Sequence, residues 1–185
     1  MLKDIILIGP IGTGKSTLGN LLAQKLNLPQ VSMDELRYEY YQQIGYDDDL
    51  AKKLRLEKGF LAAYQYWKPF EAYAVEKLVA EHSNCVIDFG AGHSVYDDAG
   101  LFYRVQKVLE PYLNVVLVLP SPDLDESIKI IKERIGEFQD GEMDLHEYFV
   151  KHPANYKLAK ILVYTKGKTP EETRDEILSL IKTSS

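Results

Sequence analysis

The stretch "LIGPIGTGKST", Leu7 to Thr17, decides how the rest of the chain is read. Gly9 to Ser16 matches the pattern G-x-x-x-x-G-K-S/T in full. Each residue type has a physical reason to be there. Gly12 and Gly14 let the backbone turn so that its N–H groups point inward around a phosphate. Lys15 reaches the outer phosphates, and the Ser16 hydroxyl can ligate Mg²⁺. The helix that should follow adds the positive end of its dipole. Gly12, Thr13, Gly14, Lys15, Ser16 and Thr17 are therefore the expected nucleotide contacts. No N-K-x-D guanine-reading tetrapeptide occurs, which favours ATP as the nucleotide.

Outward from the loop, strand and helix patterns alternate. Residues 4–8 read as a buried strand and 14–26 as a helix with Leu18, Leu21, Leu22 and Leu26 on one face. Further strands are expected at 30–32, 84–88, 114–119 and 160–164, and helices at 98–110, 123–135 and 170–182. Thr169 and Pro170 should cap and start the last helix. Residues 34–82 read as helix in pieces, with a break near Gly45-Tyr46-Asp47, and are rich in tyrosine. Residues 136–145 carry turn and charge signals without a clear period. Strands separated by helices predict an α/β three-layer P-loop NTPase architecture: a parallel five-stranded sheet with helices on both faces, in one domain over 1–185.

Composition narrows the partners. The 185 residues are 45% hydrophobic and carry a net charge of −6, so no basic field gathers nucleic acid or anionic lipid. No apolar run is long enough to span a membrane, and Ile5 to Ile8 is too short for a signal-peptide core. The single cysteine, Cys85, cannot form an internal disulfide and reads as a small buried hydrophobe. A cytoplasmic location is the expectation; the oligomeric state stays open. The histidines show no zinc-like spacing.

Cys85-Val86-Ile87-Asp88 has the form of a strand that ends in a metal-holding carboxylate, so Ser16 and Asp88 are the expected Mg²⁺ contacts. Ser32-Met33-Asp34-Glu35 reads as a helix start with Ser32 as N-cap and Glu35 closing a capping box. The tyrosines and Trp67 are helix-packing residues first, and their density also allows an aromatic-walled acceptor pocket.

From about Lys3 to Ile181 the chain resembles shikimate kinase and its relatives, small P-loop kinases of the nucleoside-monophosphate-kinase type. The resemblance is carried by "GPIGTGKST", "VSMDELRYE" (31–39), "CVIDFGAG" (85–92), "IIKER" (130–134) and "HPANYKLAKILVYTKGKTPEET" (152–173). It implies an ATP- and Mg²⁺-dependent kinase acting on a small hydroxyl-bearing acceptor. It also implies residues 34–82 as acceptor-binding insertion and 136–152 as lid, Asp34 and Lys15 as catalytic groups, and Arg134 stacked on adenine. Acceptor contacts are then expected from Asp34, Lys68, Gly90, Gly92 and His152. The departures are specific. Ser32 stands where the family has a first aspartate, and Lys68 and His152 where it has arginines on the substrate carboxylate. Gly90-Ala91-Gly92 interrupts a run of three glycines. Gly136 to Val150 holds no arginine or lysine, so Lys151 is the nearest replacement for a lid cation. Shikimate is therefore not the expected acceptor. Two alternatives stay in view. One is a nucleotide sensor or slow ATPase. The other is a nucleoside or nucleotide kinase, for which Arg37 and Arg55 are the arginines in the acceptor region.

Overall fold

The computed structural model describes residues 4–182. At its centre is β1 (Ile5–Ile8), a four-residue apolar run with every side chain fully buried. The other strands of the main sheet are β2 (Gln30–Ser32), β3 (Val86–Asp88), β4 (Asn114–Leu119) and β7 (Ile161–Tyr164). Their order is β2-β3-β1-β4-β7, and all pair in parallel. The five-stranded parallel sheet is the one predicted.

Alternate residues of each strand enter opposite faces, so two cores form. Ile6, Ile8, Ile87, Val115 and Leu117 pack with α2 (Met33–Gln43), α4 (Phe60–Glu81) and α5 (Ala99–Leu109). Ile5, Leu7, Val86, Val116 and Val163 pack against α1 (Lys15–Leu26) and α9 (Pro170–Leu180). Helix α6 (Leu124–Ile135) follows β4, with Asp123 accepting the amides of Asp125 and Glu126. Thr169 caps α9 and Pro170 starts it, as predicted, and Glu172 completes a capping box there.

Register places the site. Leu7 and Ser32 both lie opposite Asp88, so the three strands come together two residues before the phosphate loop begins at Gly9. Gly9 (φ 135°) then turns the chain away, and a Cβ there would stand 2.6 Å from the Val118 carbonyl oxygen.

Several local expectations are corrected. Ser32 sits at the N-cap of α2 but makes no cap hydrogen bond; its hydroxyl goes to Asp88 instead, so the capping box does not form. Residues 33–81 form three helices, because α3 (Asp48–Lys58) ends at Gly59, whose φ of 88° separates it from α4. The segment without a clear period contains the hairpin β5 (Gln139–Asp140) and β6 (Met143–Asp144). It leads into α7 (Leu145–Lys151) and α8 (Pro153–Leu158), short helices capped by Asp144 and His152. Cys85 is buried, and its thiol is pushed up to about 12 by burial and by Asp4. No helix of the described residues is long and apolar enough to cross a membrane.

Candidate active site

The phosphate loop joins β1 to α1 through Gly14, whose left-handed φ of 89° admits no easy substitute. Thr13 closes the loop by donating to the Pro10 carbonyl at 3.0 Å. The Lys15 ammonium lies across the loop and donates to the carbonyls of Gly9 and Pro10, each at 2.8 Å. Burial lowers its pKa to about 8, against the opposing pull of Asp34 and Asp88. A cation held this way is poised to exchange two carbonyls for phosphate oxygens.

Asp88 is 1% exposed and fully engaged. Its Oδ1 accepts the hydroxyls of Ser16 at 3.0 Å and Ser32 at 3.1 Å, and its Oδ2 accepts the Gln30 amide at 2.8 Å. The Gln30 amide nitrogen also lies 3.1 Å from the Ser16 carbonyl oxygen. Sequence reasoning missed Gln30. Its signal is Gly19 in α1, where a Cβ would come 2.9 Å from the Gln30 amide nitrogen. A hydroxyl and a carboxylate oxygen side by side are hard donors that suit Mg²⁺. No cluster of three acidic, histidine or cysteine groups exists among the described residues, so such an ion would depend on phosphate oxygens and water for the rest.

The loop opens into a cleft of about 670 Å³. Lys15, Ser16 and Thr17 line one end, with Asp34 and Arg37 beside them; Phe60, Tyr64, Trp67, Phe89, Phe138 and Phe149 form aromatic walls. Asp34 pairs with Arg37 at 3.1 Å. Gly90 and Gly92 make the floor narrow: a Cβ at Gly90 would stand 2.6 Å from Asp34 Oδ1 and 2.8 Å from His93 Nδ1, and one at Gly92 would collide with the Glu71 carboxylate. His93 is buried, its Nε2 is 3.0 Å from the Tyr41 hydroxyl, and burial together with Lys68 pushes its pKa down to about 3.

The shikimate kinase family profile matches residues 11–182. The chain belongs to the shikimate kinase family. It is 29% identical over 182 residues to the shikimate kinase of Persephonella marina, covering 98% of this chain and 100% of that one. In fold it is similar to the shikimate kinase of Acinetobacter baumannii in complex with shikimate, with a TM-score of 0.65, 18% identity, and coverage of 97% and 93% of the two chains. It is also similar in fold to a gluconokinase from Sinorhizobium meliloti 1021, with a TM-score of 0.55, 15% identity, and coverage of 95% and 89%. Membership of this kinase family implies ATP as substrate and, typically, Mg²⁺.

Within the family frame, the expected acceptor cations stand elsewhere. Lys68 is 6% exposed and turned into the protein. It is ion-paired with Glu71 and donates to the Tyr64 hydroxyl and to the carbonyls of Gly92 and Val95 at 2.7–2.8 Å. It therefore lies behind the cleft wall, not on the cleft surface where an acceptor contact was expected. His152 is likewise engaged within the protein. Its Nδ1 accepts the Ala154 amide at 3.2 Å, so the neutral ring's proton sits on Nε2, 3.1 Å from Asp97. It caps α8 and does not line the cleft. Lys151 pairs with Asp125 at 2.9 Å and Glu147 at 2.7 Å and does not line the cleft.

On the far side of the loop lies a groove of about 250 Å³ lined by Thr13, Gly14, Thr17, Arg134, Lys168 and Pro170, among others. Arg134 donates to the Gly12 carbonyl at 3.3 Å. Half-buried Thr165 lines the same groove, and its hydroxyl, itself buried, has no partner. Lys168 and Thr165 were not singled out from the sequence, and Pro170 only as a helix start, because nothing there marks a groove wall.

Proposed function

We propose that this chain is an ATP-dependent kinase that phosphorylates a hydroxyl of a small metabolite other than shikimate. One observation carries the reading: Lys15, Ser16 and Asp34 line the same cleft, which continues from the phosphate loop into an aromatic chamber, while Asp88 touches Ser16 from below. Lys15 would hold the outer phosphates once it leaves the carbonyls of Gly9 and Pro10. Arg134 and the groove beside the loop would take the nucleobase, with the guanidinium plane suited to stacking. Mg²⁺, held by Ser16 and Asp88 directly or through water, would offset phosphate charge. Asp34, fixed by Arg37, would accept the proton of the acceptor hydroxyl as that oxygen bonds to the γ-phosphorus and the bond to the β-phosphate oxygen breaks. Gly90 and Gly92 would let the acceptor lie close to the backbone.

The side chains at the family's carboxylate-binding positions, Lys68 and His152, are occupied inside the protein. Neither has the bidentate fork of arginine. Shikimate should turn over slowly, well under about 10 s⁻¹, an ordinary enzyme rate. ADP release with ATP–Mg²⁺ and a panel of small hydroxyl compounds tests the reading; turnover of shikimate at ordinary rates would overturn its exclusion.

A second reading, a nucleotide sensor or slow ATPase, is favoured by one feature. Residues 136–150 hold no lysine or arginine, and Lys151 is paired away from the cleft. A cation on the transferring phosphoryl group is worth about 10³–10⁵ in rate where it has been measured. ADP release that no acceptor accelerates would support this second reading.

A further inference from the structure

The charges around the acceptor end of the cleft do not cancel. Asp34 is paired with Arg37, and Glu71 with Lys68 from behind the wall. Lys15 belongs to the phosphate loop. That leaves Arg55, which lines the cleft from the last turn of α3. Among the described residues Arg55 enters no ion pair and no side-chain hydrogen bond. Its field reaches the Asp140 carboxyl. Yet the two Asp140 oxygens are given to the amides of Phe60 and Leu61, at 3.0 Å each.

The guanidinium lies 5.7 Å from the centroid of the Phe60 ring. Phe60 packs in turn on Trp67 and Phe138, with centroids 6.0 and 4.9 Å away. Arg55 thus stands beside an aromatic wall of the cleft that the phosphate loop also lines. A low-polarity wall strengthens the attraction between a cation and an anion beside it. A free guanidinium offers two parallel N–H donors to a carboxylate or phosphate.

We propose that Arg55 is the acceptor's anion contact: the acceptor carries a carboxylate or phosphate group besides its hydroxyl, and this group pairs with Arg55, not with Lys68 or His152. The hydroxyl half of this statement rests on the kinase reading; the anion half does not. Arg55 is exposed, so the pair stays partly hydrated and the expected discrimination is modest, about tenfold.

The test uses the full chain saturated with a non-hydrolysable ATP analogue and Mg²⁺. Calorimetry compares three pairs: shikimate with its methyl ester, D-gluconate with D-glucitol, and glycerol 3-phosphate with glycerol. At least one anion should bind about tenfold more tightly than its neutral partner. Arg55→Gln should erase that difference, Arg55→Lys should keep part of it, and both variants should bind the ATP analogue as the parent does. The first two pairs report a carboxylate, the third a phosphate. Equal affinity of every anion and its neutral partner, or a preference that survives Arg55→Gln, overturns the proposal. ADP release is measured separately with the compounds that bind. An Arg55-dependent anion that binds without turnover counts against the kinase reading and upholds the Arg55 contact. Efficient turnover of the neutral compounds, with no gain from the anion, does the reverse.

Discussion

The Ser16 hydroxyl and the Asp88 carboxylate, 72 residues apart in sequence, meet at 3.0 Å beneath the phosphate loop. The contact joins the first helical turn after the loop to the end of the neighbouring strand. These are the two oxygen donors that the proposed Mg²⁺ site would draw from the protein. Asp88→Asn keeps the shape and removes the charge. The Mg²⁺ concentration needed for nucleotide binding or turnover should rise about tenfold or more, with metal-free nucleotide affinity little changed. An unaltered Mg²⁺ dependence would make Asp88 a strand-end residue and direct attention to Asp34.

Lys15 gives a pH dependence with a defined sign. Burial holds its free-state pKa down at about 8. Below that value the ammonium is charged and ready. Above it the free protein must take up a proton to meet phosphate, so ATP affinity should fall as pH rises past about 8. Calorimetry in buffers of different ionisation enthalpy should show net proton uptake on binding near pH 9. Lys15→Ala should lose both the affinity and the proton uptake while unfolding at nearly the parent's temperature.

The buried Lys68–Glu71 pair predicts a stability effect where a substrate contact would predict a binding effect. Lys68→Met leaves Glu71 uncompensated and should cost about 3–5 kcal/mol in denaturant unfolding. Adding Glu71→Leu should recover a good part of that loss. Normal stability in the single variant, with only acceptor affinity lost, would return Lys68 to the acceptor site.

Asp140 ties the hairpin to α4 by accepting the amides of Phe60 and Leu61, and these hydrogen bonds hold its carboxyl below the usual range. Asp140→Ala should speed hydrogen exchange at those two amides and through the 139–144 hairpin, leaving the amides of β1 protected. The same tie should weaken as pH falls through the carboxylate range, because a depressed carboxyl gives its stabilisation only while ionised. Unchanged exchange at Phe60 and Leu61 would show that aromatic packing alone holds the hairpin.

His93 makes the fold acid-sensitive. In the folded chain it stays neutral down to about 3, whereas its ordinary value is 6.5. Between those values the unfolded chain binds a proton that the folded chain refuses. Stability should therefore fall with falling pH, with a slope of up to about 1.4 kcal/mol per pH unit from this residue. Denaturation of His93→Gln between pH 4 and 7 should lack that component, and an identical slope in the variant would contradict the burial argument.

The phosphate loop, the strand–helix alternation and the carboxylate at the end of β3 are local properties. Glycine spacing, four or five consecutive apolar residues, and the step from Ile87 to Asp88 determine them, and one sequence displays all three. Gln30, and Thr165 and Lys168 in the groove beside the loop, were not legible, because their neighbours are segments that meet only in the folded chain; Arg55 was legible only as an arginine of the acceptor region, not as the one left unpaired. The direction of the long side chains was also left to the tertiary structure. Position 68 is where a cation was expected, yet the ammonium turns inward because Glu71 and the carbonyls of Gly92 and Val95 offer it partners there. Ser32 stands at a helix start, yet its hydroxyl leaves the helix because register brings Asp88 within 3.1 Å. Sequence places a Cβ; the partners that folding brings within reach decide where a flexible polar side chain points, since a buried donor or acceptor left without one is costly.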